Sequence, residues 1–153
     1  ATFEENAYLK ANAIYQQTHL PTLADDSGLT VDALDGRPGV YSARYAGEHA
    51  TDQENNQKLI RELAGKSERT AYYECAICFI NAHGDVCYTH GRCQGSIGLE
   101  PKGSGGFGYD PYFVVGAKTM AEMSAQEKDA ISHRGGALRA MLEVIKQQLG
   151  EQE

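Results

Sequence analysis

The sequence predicts an α/β domain built on a mixed β-sheet flanked by helices. Three observations carry this. The chain opens on a helix signal, its middle holds two long strand-like runs joined as a hairpin, and it closes on a helical pattern. The hairpin must be antiparallel, which disfavours a purely parallel, doubly wound sheet.

Each element has a local reason. Thr2 followed by Glu5 forms a capping box, and Ala7, Ala11, Ala13 and Ile14 carry a helix to about residue 19 before Pro21 resets the path. Residues 22–25 and 29–31 read as two short strands around a turn at Asp26-Ser27-Gly28. Gly36-Arg37-Pro38-Gly39 is a loop, and residues 40–47 are irregular. Thr51 or Asp52 can cap a helix to about residue 64, with Leu59, Ile60 and Leu63 on its apolar side and Gly65 as its stop. Residues 70–82 and 86–97 are the hairpin strands, joined through residues 81–85. A short strand is expected over 111–115. Ser124 and Glu127 make a second capping box, and Gly135 and Gly136 interrupt that helix. Leu138, Met141, Leu142, Ile145 and Leu149 then follow at helical spacing and read as core packing.

Composition narrows the function classes. A chain of 153 residues is most simply one domain, and 41% hydrophobic with 23% charged residues is ordinary for a soluble globular protein. No apolar run approaches the roughly 20 residues needed to span a bilayer, so no membrane partner is expected. The net charge of −7 disfavours a nucleic acid polymer, which needs a broad basic surface. A single nucleotide is compatible with it, if a few cations converge and a divalent metal supplies the rest. Cys75 and Cys78 form a CxxC, but on a strand side chains three apart face opposite ways and cannot chelate one ion. They read as buried thiols of a protein in the reducing cytoplasm.

Candidate chemistry lies in a few places. Asp25-Asp26-Ser27-Gly28 puts two carboxylates on an extended segment, facing opposite ways, so one enters a given cleft. A carboxylate there suits Mg²⁺ or an attacking water; the plain alternative is an Asx-turn. The loop from Lys102 to Asp110 lacks the GK[ST] of a phosphate-binding P-loop. Its interest is Phe107 and Tyr109 beside the glycines, since a stacked base contributes roughly 1–3 kcal/mol. Core filling is the alternative for either ring. Lys128, His133 and Arg134 form a basic group at a helix end, and equally suit a solvated terminus. Lys10, one turn after Asn6, has the pattern of a surface lysine, and Arg44 between two tyrosines reads as structural.

Five motifs in order add what no single residue gives. Thr2-Phe3 through Glu5-Asn6-Ala7, Ala24-Asp25-Asp26-Ser27-Gly28-Leu29, Pro38-Gly39-Val40-Tyr41-Ser42-Ala43-Arg44-Tyr45, Gly105-Gly106-Phe107-Gly108-Tyr109-Asp110-Pro111 and Ser132-His133-Arg134-Gly135 together resemble the inosine triphosphate pyrophosphatase family. The likeness runs through essentially the whole chain. It implies hydrolysis of dITP, ITP and XTP with Mg²⁺ as cofactor, in a cytoplasmic homodimer whose elongated mixed sheet lies between two lobes with a central cleft. By the same resemblance Asp26 is the general base and metal ligand, Ser27 contacts substrate, and Lys10 positions phosphate or water. Phe107, Gly108, Tyr109 and Asp110 form the nucleoside pocket, Lys128 approaches the nucleotide, and His133 with Arg134 reads the base. The family pattern also has a strand, a Ser/Thr-Gly-Asn-x-x-Lys loop and a metal-binding glutamate ahead of the first helix. The expectation is therefore a single pyrophosphatase domain over residues 1–153, shortened at its start, with a nucleotide-binding remnant or a related phosphohydrolase as alternatives.

Overall fold

A computed structural model describes residues 2–151. Four helices, α1 (Phe3–Thr18), α2 (Asp52–Leu63), α3 (Ala125–Ile131) and α4 (His133–Glu151), accompany five strands, β1 (Thr22–Val31), β2 (Thr70–Ile80), β3 (Val86–Ile97), β4 (Phe113–Val115) and β5 (Lys118–Thr119). The strands form one sheet in the order β1-β2-β3-β4-β5. The α/β class expected from the sequence is the one found. Strands β3 and β4 pair antiparallel with Ile97 opposite Phe113, and β4 and β5 pair antiparallel with Val114 opposite Thr119. Among the described residues no helix is long and apolar enough to cross a membrane.

The chain divides into two compact units. One holds the residues up to Ser27, Glu74–Arg92 and those from Ser132 on; the other holds Gly28–Tyr73 and Cys93–Ile131. In the first unit, strand alternation sorts β2 into two faces. Cys75, Ile77 and Phe79 pack with Ala137 and Met141 of α4, whereas Cys78 and Ile80 pack with Ala7 and Ala11 of α1. The CxxC thiols therefore lie on opposite faces, as strand geometry requires, and all four cysteines are free. In the second unit Leu59 and Leu63 of α2 are fully buried against Leu29, Val31, Tyr73 and Phe113. Each such side chain contributes about 1.5–3 kcal/mol.

Four expectations need correction. Residues 22–31 form one continuous strand, with no turn at Asp26-Ser27-Gly28. Helix α4 starts at His133 and runs through Gly135 and Gly136, the break lying at Ser132, whose Oγ accepts from the Gly135 amide. Leu138, Leu142 and Leu149 are exposed; the stripe that packs is Ala137, Met141, Val144 and Ile145. The short strand begins at Phe113 rather than Pro111. The capping signals fared better: Thr51 and Glu54 cap α2 reciprocally, Ser124 and Glu127 do the same for α3, and Thr2 Oγ1 accepts from the Glu5 amide.

Candidate active site

In the first unit, β1 carries Asp25, Asp26 and Ser27 as an extended segment, so alternate side chains face opposite ways. Asp26 meets α1. Its Oδ1 accepts from Lys10 Nζ at 3.1 Å and its Oδ2 from Asn6 Nδ2 at 3.1 Å. Lys10 also donates to the Asp25 carbonyl oxygen at 3.0 Å. Asn6 and Lys10 stand one helical turn apart, which lets both reach the same carboxylate. Lys10 is thus tied to the strand by two contacts while its side chain stays half exposed.

Asp25 and Ser27 meet α4 instead. Arg134 Nε donates to Asp25 Oδ2 at 2.8 Å and Arg134 Nη2 to Ser27 Oγ at 2.9 Å. Nη1 is engaged by neither contact. The structure therefore brings Arg134 to the strand that bears Asp26, but against the neighbouring residues on the other face. Cys75 lies beside the same carboxylate at 3.8 Å, and burial followed by the Asp25 charge pushes its thiol up to about 11.

The approach of α4 to the sheet depends on a residue that sequence reading passed over. A Cβ at Gly91 of β3 would fall far inside van der Waals contact distance of the His133 carbonyl oxygen. Glycine here lets the first turn of α4, with His133 and Arg134, lie against the strand. Thr89 Oγ1 then donates to the Ala137 carbonyl oxygen at 2.8 Å, pinning the second turn.

The second unit holds the glycine loop. Asp110 is its hub: Oδ1 accepts from Tyr73 Oη at 3.0 Å, and Oδ2 accepts from Lys128 Nζ at 3.0 Å and the Phe107 amide at 3.2 Å. Burial and the nearby Asp110 charge raise the Tyr73 hydroxyl well above its usual range, so it stays a donor. A Cβ at Gly106, which has φ of +77°, would collide with the Asp110 carboxylate. Lys128 belongs to α3, not to the helix that carries His133 and Arg134, and its Nζ lies 5.7 Å from the Phe107 ring centre. The two aromatics part company. Phe107 is 72% exposed, while Tyr109 is buried in the core and donates its hydroxyl to the Ser42 carbonyl oxygen at 2.6 Å. A cavity of about 460 Å³ adjoins the loop, lined in part by Gln53, Asn56, Gln57, Gly105 and Phe107. That volume lies within the range of small-molecule sites.

The sequence pattern described as the Ham1 family matches residues 1–144. A dITP/XTP pyrophosphatase of Halalkalibacterium halodurans is 50% identical, over 92% of this chain and 75% of that protein. One of Geobacter sulfurreducens is 52% identical, over 99% of this chain and 76% of that protein. Among solved structures, the Staphylococcus aureus Ham1 protein superposes with a TM-score of 0.93 at 41% identity, covering 97% of this chain and 78% of that one. The Coxiella burnetii HAM1 protein superposes with a TM-score of 0.90 at 48% identity, covering 95% and 77%.

Proposed function

We propose that this chain, which belongs to the Ham1 family, hydrolyses the non-standard purine triphosphates dITP, ITP and XTP to nucleoside monophosphate and pyrophosphate. Half-identity to dITP/XTP pyrophosphatases over nearly all of its length is the observation that carries this reading. Free cysteines throughout agree with a cytoplasmic setting.

In this reading water attacks the α-phosphorus and pyrophosphate leaves. Asp26 orients or deprotonates that water. Its carboxylate has about four acceptor positions, and Lys10 and Asn6 engage one on each oxygen. Capacity remains on both. Lys10 carries the cation nearest to Asp26 and serves the phosphate end of the substrate. A hard divalent cation fits the same carboxylate, because Mg²⁺ is commonly held by one or two carboxylates with substrate phosphates and waters. Among the described residues no group of three His, Cys, Asp or Glu forms a ready-made cage. Such an ion, when bound, offsets phosphate charge.

Phe107, Gly108, Tyr109 and Asp110 are assigned to the nucleoside end, with Phe107 as the stacking face and Tyr109 and Asp110 setting its backing. Lys128, paired to Asp110, supports that loop at the nucleotide. His133 and Arg134 read the base, and Ser27, which follows Asp26 on β1 but faces Arg134, contacts substrate together with that guanidinium. Hypoxanthine and xanthine present an acceptor at O6, which a guanidinium satisfies; adenine presents a donor there. Arg134 is half exposed in the free chain; once a bound base shields it from water, a donor left facing a donor discriminates by ~10⁴ or more.

Product analysis with ITP, dITP, XTP, ATP and GTP tests the reading. Pyrophosphate and the monophosphate are expected from the first three. Orthophosphate would place the chain among other phosphohydrolases, and calorimetric binding without turnover would make it a nucleotide-binding remnant. Arg134→Ala should lower kcat/KM for ITP much more than for ATP; an equal fall in both removes the base-reading role.

A further inference from the structure

One turn of α2 grips a single residue of the glycine loop by both of its backbone polar groups. The Gly108 amide donates to Asp52 Oδ2 at 2.8 Å, and the Gly108 carbonyl oxygen accepts from Asn56 Nδ2 at 2.9 Å. Asp52 and Asn56 are four apart, hence stacked on one helix face. Gly108 sits at φ +62°, a left-handed conformation that glycine adopts readily and that leaves its amide and carbonyl free of any strand partner. The helix that holds it has little freedom to slide. Its first turn is locked by the Thr51–Glu54 capping box, and Leu59 and Leu63 anchor its far end in the core.

The neighbouring anchors lie on either side. Asp110 holds the Phe107 amide, and the buried Tyr109 ties the loop to Ser42. Asp110 holds both polar groups of Phe107, its own amide donating to the Phe107 carbonyl oxygen at 3.3 Å; α2 holds both polar groups of Gly108, so the two anchors together set where the exposed Phe107 ring points.

We infer that Asp52 and Asn56 are positioning residues that preorganise Phe107 for the nucleobase. This rests on the assignment of residues 107–110 to the nucleoside end. A loop released from α2 must be ordered anew whenever substrate binds, which weakens binding without touching the reacting phosphate. Asp52→Ala should therefore raise KM for ITP roughly tenfold, with kcat changed less than about twofold. Asp52→Asn retains an acceptor oxygen for the Gly108 amide and should restore KM to near the parent value. A role through the helix dipole predicts otherwise, since both substitutions remove the charge.

Phe107→Ala provides the coupling test. If the clamp acts through this ring, Asp52→Ala adds little in a Phe107→Ala background. The inference is overturned if Asp52→Ala leaves KM alone, if Asp52→Asn behaves like Asp52→Ala, or if the two effects multiply. Where Asp52→Ala impairs folding, Asn56→Ala removes the carbonyl arm alone and must shift KM in the same direction, or the inference falls. A Phe107→Ala variant with unchanged KM removes the nucleoside-end assignment itself, a result recognisable because pyrophosphate release continues.

Discussion

Asp26 and Asp110 each have a lysine about 3 Å away, yet the two carboxylates are held in opposite ways. Asp110 has three donors, among them a backbone amide and a buried tyrosine, and its side chain is 9% exposed. Asp26 has two donors, both side chains of one helix, and is 17% exposed. A carboxylate that already accepts from three donors is a fastening; one that accepts from only two keeps capacity for water or a cation. The difference separates an acid used for architecture from an acid available for chemistry.

The strongest way to break the comparison is Asp26→Asn. It preserves shape and still accepts from Lys10, but it removes the base, so kcat for ITP should fall by about 10²–10⁴. The melting temperature should move little. Near-normal pyrophosphate release would return Asp26 to an ordinary strand residue. Asp110→Ala should do the reverse. It leaves Tyr73 Oη and Lys128 Nζ without their common acceptor, and breaking a buried pair of this kind costs roughly 3–5 kcal/mol. Urea denaturation measures it, and a loss under ~1 kcal/mol would show that the loop holds without its hub.

Gly91→Ala comes next. The added methyl would strike the His133 carbonyl oxygen, a backbone atom that cannot swing aside as a side chain does. Displacing the first turn of α4 should destabilise by roughly 1–3 kcal/mol and lower ITP selectivity over ATP, since Arg134 leaves with that turn. Wild-type stability together with wild-type selectivity would mean that the strand and helix part easily there.

These residues also mark how far the sequence could be read. Hairpin, helix order and caps are legible because their signals are local: Thr51 as a cap, Ser124 with Glu127, and long β-branched and aromatic runs; the Glu54 half of the first box shows only in the structure. The turn expected at Asp26-Ser27-Gly28 is extended strand instead, because those residue types favour turns locally while sheet pairing, a non-local effect, holds them extended. Gly135 and Gly136 looked like a break for the same reason, since each glycine disfavours helix by about 1 kcal/mol. The close approach of α4 to Gly91 is invisible without coordinates. The Asn6-to-Lys10 spacing reads only as a surface lysine; the pairing of Lys10 with Asp26 shows only in the structure. Asn55 and Asn56 gave a signal that went unused, for buried asparagines inside a helix are unfavourable locally and point to a tertiary task. Asn55 bonds the Ala46 amide and the Ala43 carbonyl, and Asn56 bonds Gly108.

The smallest effect sharpens the comparison from the neighbour of Asp26. Asp25 shares its carboxylate with Arg134 and sits against Cys75, whose thiol is lifted from the ordinary 9.0 to about 11, first by burial and then by that negative charge. The raised value means that the fold favours the neutral thiol. Its stabilising contribution is therefore complete below pH 9 and is lost as pH climbs from 9.0 to about 11. At neutral pH Cys75 should be inert to iodoacetamide, because the thiolate is the nucleophile. A variant retaining Cys75 as its one cysteine should show thiolate absorbance with a midpoint near 11 in the folded state and near 9.0 in urea. A folded midpoint at or below 9 would mean that Arg134, which lowers the thiol's value, outweighs both burial and Asp25. The guanidinium would then be less neutralised by Asp25 than its 2.8 Å contact implies, and freer to engage a base.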